Sequence, residues 1–199
     1  MADLTDIQLD ALREMGNIGS GNAATALSQM VSETINITVP SVKVLPLEKV
    51  ADFLGGPEKN VFVIYLEVLK EMQGTMLTIF DEESASFFSK KLLNQEKFDI
   101  TSDISQSALK EVGSILCGSY LSALSQLVGV GSVANVPAMA CDMLGAILDF
   151  ILVEIGQVAE EVLLIETELF VEGKKLDCSQ LFLPKPDALE KVLDALGMM

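Results

Sequence analysis

Hydrophobic and polar positions follow two periods along this chain, and the periods change in an order that repeats. From residue 5 to about residue 31, apolar side chains such as Leu9, Leu12, Met15 and Ala23 recur at helical spacing and predict a long amphipathic helix. The segment beginning near Ile35 (ETINITVPSVKVLPL) is rich in β-branched residues and reads as extended, with an interruption at Pro40. Residues 60–68 and 75–80 read as two further strands around a short acidic turn. The cluster Asp81-Glu82-Glu83 opens a second helix, because negative charge suits a helix N-terminus. The order then recurs: a helix over 105–128, a strand over about 134–142, hairpin strands over 161–170 and 177–183, and a last helix from Asp187, after Pro186, to Leu196. A short polar stretch, 98–105, joins the two series. The pattern predicts an α+β fold. Two pseudo-symmetric α-β-β-β-α halves, about 4–97 and 103–199, would pool their strands in one largely antiparallel sheet, with helices packed on it, as a single domain over 1–199.

The two halves also agree residue by residue. Laying Ser28-Gln29 over Ser125-Gln126, 97 positions on, places Glu14 on Glu111, Gly16 on Gly113, Gly21 on Gly118 and Pro40 on Pro137. Asp10 then faces Ser107, and Asn17 faces Ser114. A period of this length is too long for a solenoid and indicates a duplicated half-domain about a pseudo-two-fold axis.

Advancing 100° per residue along the first helix gathers Asp10, Glu14, Asn17, Gly21 and Ser28 into a polar stripe roughly 60° wide. Ile18, Ala11, Leu4, Met15, Ala26, Leu12, Ala23 and Leu9 fill the opposite arc and predict the buried face. Glu14 and Asn17, three apart, are neighbours on the exposed side. Gly16, Gly19 and Gly21 each cost the helix about 1 kcal/mol relative to alanine. The first two fall on the buried arc and suit close helix packing; Gly21 falls on the polar stripe, where a side chain would obstruct a partner. A Glu and an Asn on a helix face are by themselves ordinary solvation. The recurrence of the same stripe in the second half, with Ser114 in the place of Asn17, and the costly glycines around it set them apart.

Composition narrows the chemistry. The chain has 199 residues, half of them hydrophobic, and a mean hydropathy of +0.43, enough for a packed core. It carries 29 Asp plus Glu against 13 Lys plus Arg, a net charge of −16, which repels nucleic acid and anionic lipid and suits a basic face on a protein partner. It has no histidine, which removes Ser-His-Asp and Cys-His nucleophile systems and HExxH metal helices. Cys117, Cys141 and Cys178 form no CxxC pair and read as small buried residues in a reducing cytoplasm, with no zinc site. The acidic N-terminus does not read as a signal peptide. The apolar run 143–153 is too short to cross a bilayer.

The string DALREMGNIGSGNAATALS, followed by Pro40, fits the pattern Asp or Ser, three residues, Glu, two residues, Asn, twenty-two residues, Pro, with Asp10, Glu14, Asn17 and Pro40 in place. SALKEVGSILCGSYLSALSQL repeats it with Ser107, Glu111 and Pro137, but with Ser114 where the pattern has Asn. The chain thereby resembles the CheC-type phosphatases of chemotaxis (the CheC, CheX and FliY group), and its length and two motif copies look like CheC. A FliY-type relative would carry an added C-terminal module. The resemblance implies dephosphorylation of the aspartyl-phosphate of the response regulator CheY, with Glu14 and Asn17 as the working pair. Asn17 would position the water and Glu14 would pair with the regulator's lysine. It implies no cofactor on this chain, Mg²⁺ on the regulator, and a weak or inactive second site at Glu111 and Ser114. It further implies the deamidase CheD as a partner, with Asp142 in the segment VPAMACDMLGA as a contact. A mainly CheD-binding adaptor with weak phosphatase activity is the alternative. A cytoplasmic monomer, without nucleic-acid binding or membrane insertion, completes the expectation.

Overall fold

The computed structural model describes residues 4–129, 131–155, 161–185 and 188. The chain begins with α1 (Asp6–Val31), started by a capping box: the Gln8 backbone N–H donates to the Thr5 hydroxyl, and the Thr5 N–H donates to Gln8 Oε1 at 2.7 Å. After α1 come β1 (Ile35–Pro46), a 3-10 turn (Leu47–Lys49), α2 (Val50–Phe53), β2 (Asn60–Lys70), β3 (Gly74–Phe80) and α3 (Glu82–Leu93). Asp81 caps α3 by accepting from the Ser84 N–H at 2.8 Å. The second series is α4 (Asp103–Val128), β4 (Ser132–Ala134), β5 (Ala138–Met143), α5 (Leu144–Ile155), β6 (Glu161–Val171) and β7 (Lys174–Pro184).

The seven strands form one antiparallel sheet in the order β1-β6-β7-β3-β2, with β4 and β5 sharing the far side of β2. Exchanging β1 with β5, β2 with β6, and β3 with β7 leaves the order β1-β6-β7-β3-β2-β5 unchanged when it is read from the other edge. Alternation along each strand divides the core between the two faces. Val61, Val63, Leu77 and Ile79 pack with Val50 of α2 and with Leu144, Ile147 and Ile151 of α5. Phe62, Ile64, Leu66, Met76 and Phe80 turn the other way, toward α1, α3 and α4. Thr78 and Cys117 meet at 3.1 Å in this second layer, where burial pushes the Cys117 thiol up to about 12.

Four differences from the sequence-based expectation have local causes. The strand expected over 134–142 is split into β4 and β5 around Pro137, whose nitrogen carries no proton for a ladder bond. The apolar run after Met143, given no element in the sequence reading, forms a helix, α5, and helices cover both sheet faces. Ile18, assigned to the buried arc, is 49% exposed, because the docked face of α1 centres on Leu12, Gly16, Gly19, Ala23 and Leu27 and leaves Ile18 at its margin. Cys141 is exposed on the edge strand β5, whereas Cys117 and Cys178 are buried as expected. The helix expected over 187–196 lies, apart from Ala188, outside the described residues.

The glycines in α1 separate by environment. A Cβ on Gly19 would lie 2.8 Å from the Ser119 carbonyl oxygen and 2.9 Å from Tyr120 Cα, so α1 and α4 touch backbone to backbone there. A Cβ on Gly21 would meet nothing within 4 Å. Gly19→Ala is expected to lower the unfolding free energy by about 1–3 kcal/mol through overpacking. Gly21→Ala should leave it unchanged or raise it by up to about 1 kcal/mol. Urea denaturation of the two variants reads both, and equal stabilities would refute the close helix contact.

Candidate functional site

An edge strand leaves a row of backbone groups without a strand partner. β1 is such a strand, and two side chains of α1 satisfy part of its free edge. Ser28 Oγ accepts from the Ile35 N–H at 2.9 Å. Asn17 Oδ1 accepts from the Val39 N–H at 2.9 Å, while Asn17 Nδ2 donates to the Val39 carbonyl and to the Arg13 carbonyl, each at 3.2 Å. The carboxamide is therefore held by β1 and by its own helix.

The strand is irregular at that point. Thr38 pairs with Glu168 and Ser41 with Glu166, so Val39 and Pro40 together stand opposite the single residue Thr167. This is a β-bulge, and Pro40 occupies the place in it where a missing N–H costs no ladder bond. Asn17 and Pro40, far apart in the motif, thus meet through Val39. The sequence pattern contained their spacing but not the reason for it, because Val39 contributes only backbone atoms.

Glu14 lies one turn before Asn17 and is exposed. Among the described residues its side chain has no ion pair or hydrogen bond. The adjacent Arg13 is engaged by Asp10 at 3.2 Å, which leaves the Glu14 carboxylate open to a cation from outside. Gly21 continues this face with open space. The exposed Ile7 and Ile18 flank Glu14, an apolar border that the assigned helical phase concealed.

The second copy is assembled differently. Ser107 and Glu111 are exposed on α4, and Ser114 is half-buried. Ser125 and Ser132 join their hydroxyls at 2.8 Å, at the positions that Ser28 and Ile35 hold in the first copy. The counterpart of the Asn17 contact is missing. Among the described residues the Ser114 hydroxyl makes no hydrogen bond. Val136, the counterpart of Val39, is 83% exposed and donates its N–H to Asn135 Oδ1 at 2.8 Å, beside Pro137. Asp142 is exposed on β5 and accepts from the Met143 N–H at 2.7 Å, well separated along the chain and across the sheet from α1. Among the described residues, no group of three or more Asp, Glu or Cys side chains is placed to hold a metal ion.

Comparison with known proteins bears on this arrangement. A model of the CheC-like family matches residues 7–44, the span that contains Asp10, Glu14, Asn17 and Pro40. The chain is 36% identical over 196 residues to the CheY-P phosphatase CheC of Bacillus subtilis (strain 168), covering 96% of this chain and 94% of that protein. The chain belongs to the CheC-like family. It is also 28% identical over 127 residues to the flagellar motor switch phosphatase FliY of the same organism, a match covering 64% of this chain and 31% of that protein. The crystal structure of Thermotoga maritima FliY shares the fold with a TM-score of 0.79 at 22% identity, covering 99% of this chain and 100% of that one.

Glu14 and Asn17 should differ in what they contribute to folding. Asn17→Ala strands the Val39 N–H and C=O and is expected to cost about 1–3 kcal/mol. Glu14→Ala removes no internal partner and should stay within about 0.5 kcal/mol of the parent chain. Equal denaturation midpoints for the two variants would contradict the Asn17–Val39 contact.

Proposed function

We propose that this chain hydrolyses the aspartyl-phosphate of a CheY-type response regulator, with α1 as the helix that enters the regulator's site. The observation that carries the reading is the pairing on one helix face of an unengaged carboxylate, Glu14, with a carboxamide, Asn17, anchored from behind. The 36% identity to a CheY-P phosphatase, over nearly the whole of both chains, supports it.

The chemistry suits a chain without histidine. An acyl phosphate is already reactive, and its hydrolysis is limited by how well a water molecule is aligned with the phosphorus. A carboxamide can orient such a water without taking its proton, much as a glutamine does in GTPases. Glu14 supplies a charge-assisted contact to a lysine on the regulator and so sets the approach of the helix. The metal in this reading is Mg²⁺ on the regulator, where it offsets phosphoryl charge; this chain contributes no ligand to it. The strand order, identical from both edges, supports two equivalent halves derived by duplication. Only the first half has the anchored carboxamide. Glu111 can still help to dock a regulator, while Ser114 is too short, and among the described residues too little held by hydrogen bonds, to hold water in the same way. The reading places the protein in the cytoplasm, as a monomer whose two halves already form an internal pseudo-dimer.

Decay of phosphorylated regulator, followed with and without this protein, tests the assignment. Asn17→Ala is expected to lower the acceleration by about 10²-fold, the scale of a misplaced reactant. Glu14→Ala should raise the regulator concentration needed for half-maximal rate, and Ser114→Ala should change little. Loss of activity in Ser114→Ala with retention in Asn17→Ala would reverse the roles of the two sites.

A second reading, an adaptor for CheD, is favoured by the opposite edge of the sheet. There β5 is outermost, with Cys141, Asp142 and Met143 exposed and Val136 standing clear of the strand. In this reading Asp142→Lys weakens co-purification with CheD at least tenfold while leaving regulator dephosphorylation intact. Undiminished CheD affinity in that variant removes Asp142 from the interface.

A further inference from the structure

We propose that the Val39–Pro40 bulge is a positioning device. It fixes the Asn17 carboxamide so that a single acceptor site, the remaining lone pair of Oδ1, faces the attacking water. The inference rests on the phosphatase reading and adds to it the atom that holds the water and the structure that holds that atom.

A carboxamide has two N–H donors and an oxygen that accepts two hydrogen bonds. Both donors of Asn17 are committed, one to the Arg13 carbonyl and one to the Val39 carbonyl. One of the two acceptor sites is committed to the Val39 N–H. That contact also settles which way the amide is turned, since a backbone N–H can only donate and must face Oδ1. What remains is one acceptor site. A water bound there donates an O–H to Oδ1 and keeps its own lone pairs free. In the reaction the water oxygen bonds to phosphorus as the P–O bond to the aspartyl carboxylate breaks and the carboxylate leaves with the electron pair. The water's protons pass to phosphate oxygen and solvent, and Asn17 takes none.

Two features of β1 and one of α1 make this geometry possible. The residue before a proline is confined to extended backbone, so Pro40 fixes Val39 with its N–H and C=O in a stable direction. The bulge shifts the strand's alternation, so that Val39 and Val42, three apart, are both buried. Gly16 lets α1 lie against Val39: a Cβ there would stand 2.9 Å from Val39 Cγ1 and 3.0 Å from Cγ2. Asn17 can reach the backbone behind the Val39 side chain because its neighbour in the helix has no side chain. The second half supplies the contrast, with Ser114 for Asn17, a broken strand, and Val136 turned to solvent.

The test separates positioning from fold maintenance. Gly16→Ala should push Val39 off α1 and lower kcat for regulator dephosphorylation by about 10- to 100-fold, with KM within about twofold. The double variant Gly16→Ala/Val39→Ala removes both opposing methyl groups, leaves only the Val39 Cβ at 3.1 Å, and should regain part of that loss. Amide exchange read by NMR should show the Val39 N–H protected in the parent chain, unprotected in Gly16→Ala and Asn17→Ala, and protected again in the double variant. Pro40→Gly relaxes Val39 without a clash, keeps the fold if Gly16→Ala does not, and should lower kcat several-fold at unchanged KM. Wild-type kcat in a folded variant whose Val39 amide has lost protection overturns the inference. A parent chain that leaves the decay of phosphorylated regulator unaccelerated overturns instead the phosphatase reading on which it rests.

Discussion

The free edge of β1 is the constraint around which the first half is organised. A sheet edge must be paired, covered or blunted, and here α1 does so with side chains. Ser28 takes the N–H and the C=O of Ile35, and Asn17 takes both groups of Val39. For these bonds to form, the helix must lie closer to the strand than ordinary side chains allow, hence Gly16 against Val39; it must also press against its sister helix, hence Gly19 against Ser119 and Tyr120. The residues that make α1 look irregular as a helix are those that set its distance from two neighbours. The exposed face that results, with Glu14 beside Asn17, follows from that docking.

Under the proposed function, this arrangement gives Asn17 two roles with a common origin. A side chain free to rotate would have to be ordered each time a regulator bound, and its loss of rotamer freedom would be set against binding. Held by β1, it is ordered in advance as part of folding. Glu14 differs. In the proposed reading its partner is a charge on another protein, with which an internal cation would compete. Arg13 is the nearest candidate, and Asp10 occupies it. An exposed pair of that kind contributes little to stability, so the value of Asp10 lies more in what it keeps away from Glu14.

Much of the fold was legible in the sequence because it rests on periodicity. The long helices, the hairpins β2–β3 and β6–β7, and the 97-residue offset are all carried by side chains whose type reports their environment. The parts that were not legible depend on backbone or on tertiary context. Ile18 has the hydropathy of a core residue and is exposed, because α1 docks through small residues that a hydropathy pattern underweights. The split between β4 and β5 follows from Pro137 and from a helix, α4, that offers the strand no carboxamide. α5 was hidden because a short run of apolar residues has no amphipathic signature to distinguish helix from strand. In the site, the motif contained Glu14, Asn17 and Pro40, but Val39 was invisible because its contribution is an N–H and a C=O that every residue except proline possesses.

The sheet's two edges are also two ends of a molecule. From β1 to β5 there are five strand spacings of about 4.8 Å, roughly 24 Å in all. That is about three screening lengths in physiological salt, where the Debye length is near 8 Å. A charge brought to β5 by a bound protein is therefore almost unfelt at Glu14. Communication between the edges would have to be mechanical, passed from strand to strand through a close-packed interior to the bulge. A sheet six strand positions wide would make the chain a spacer between the two proposed docking surfaces as much as a scaffold for one.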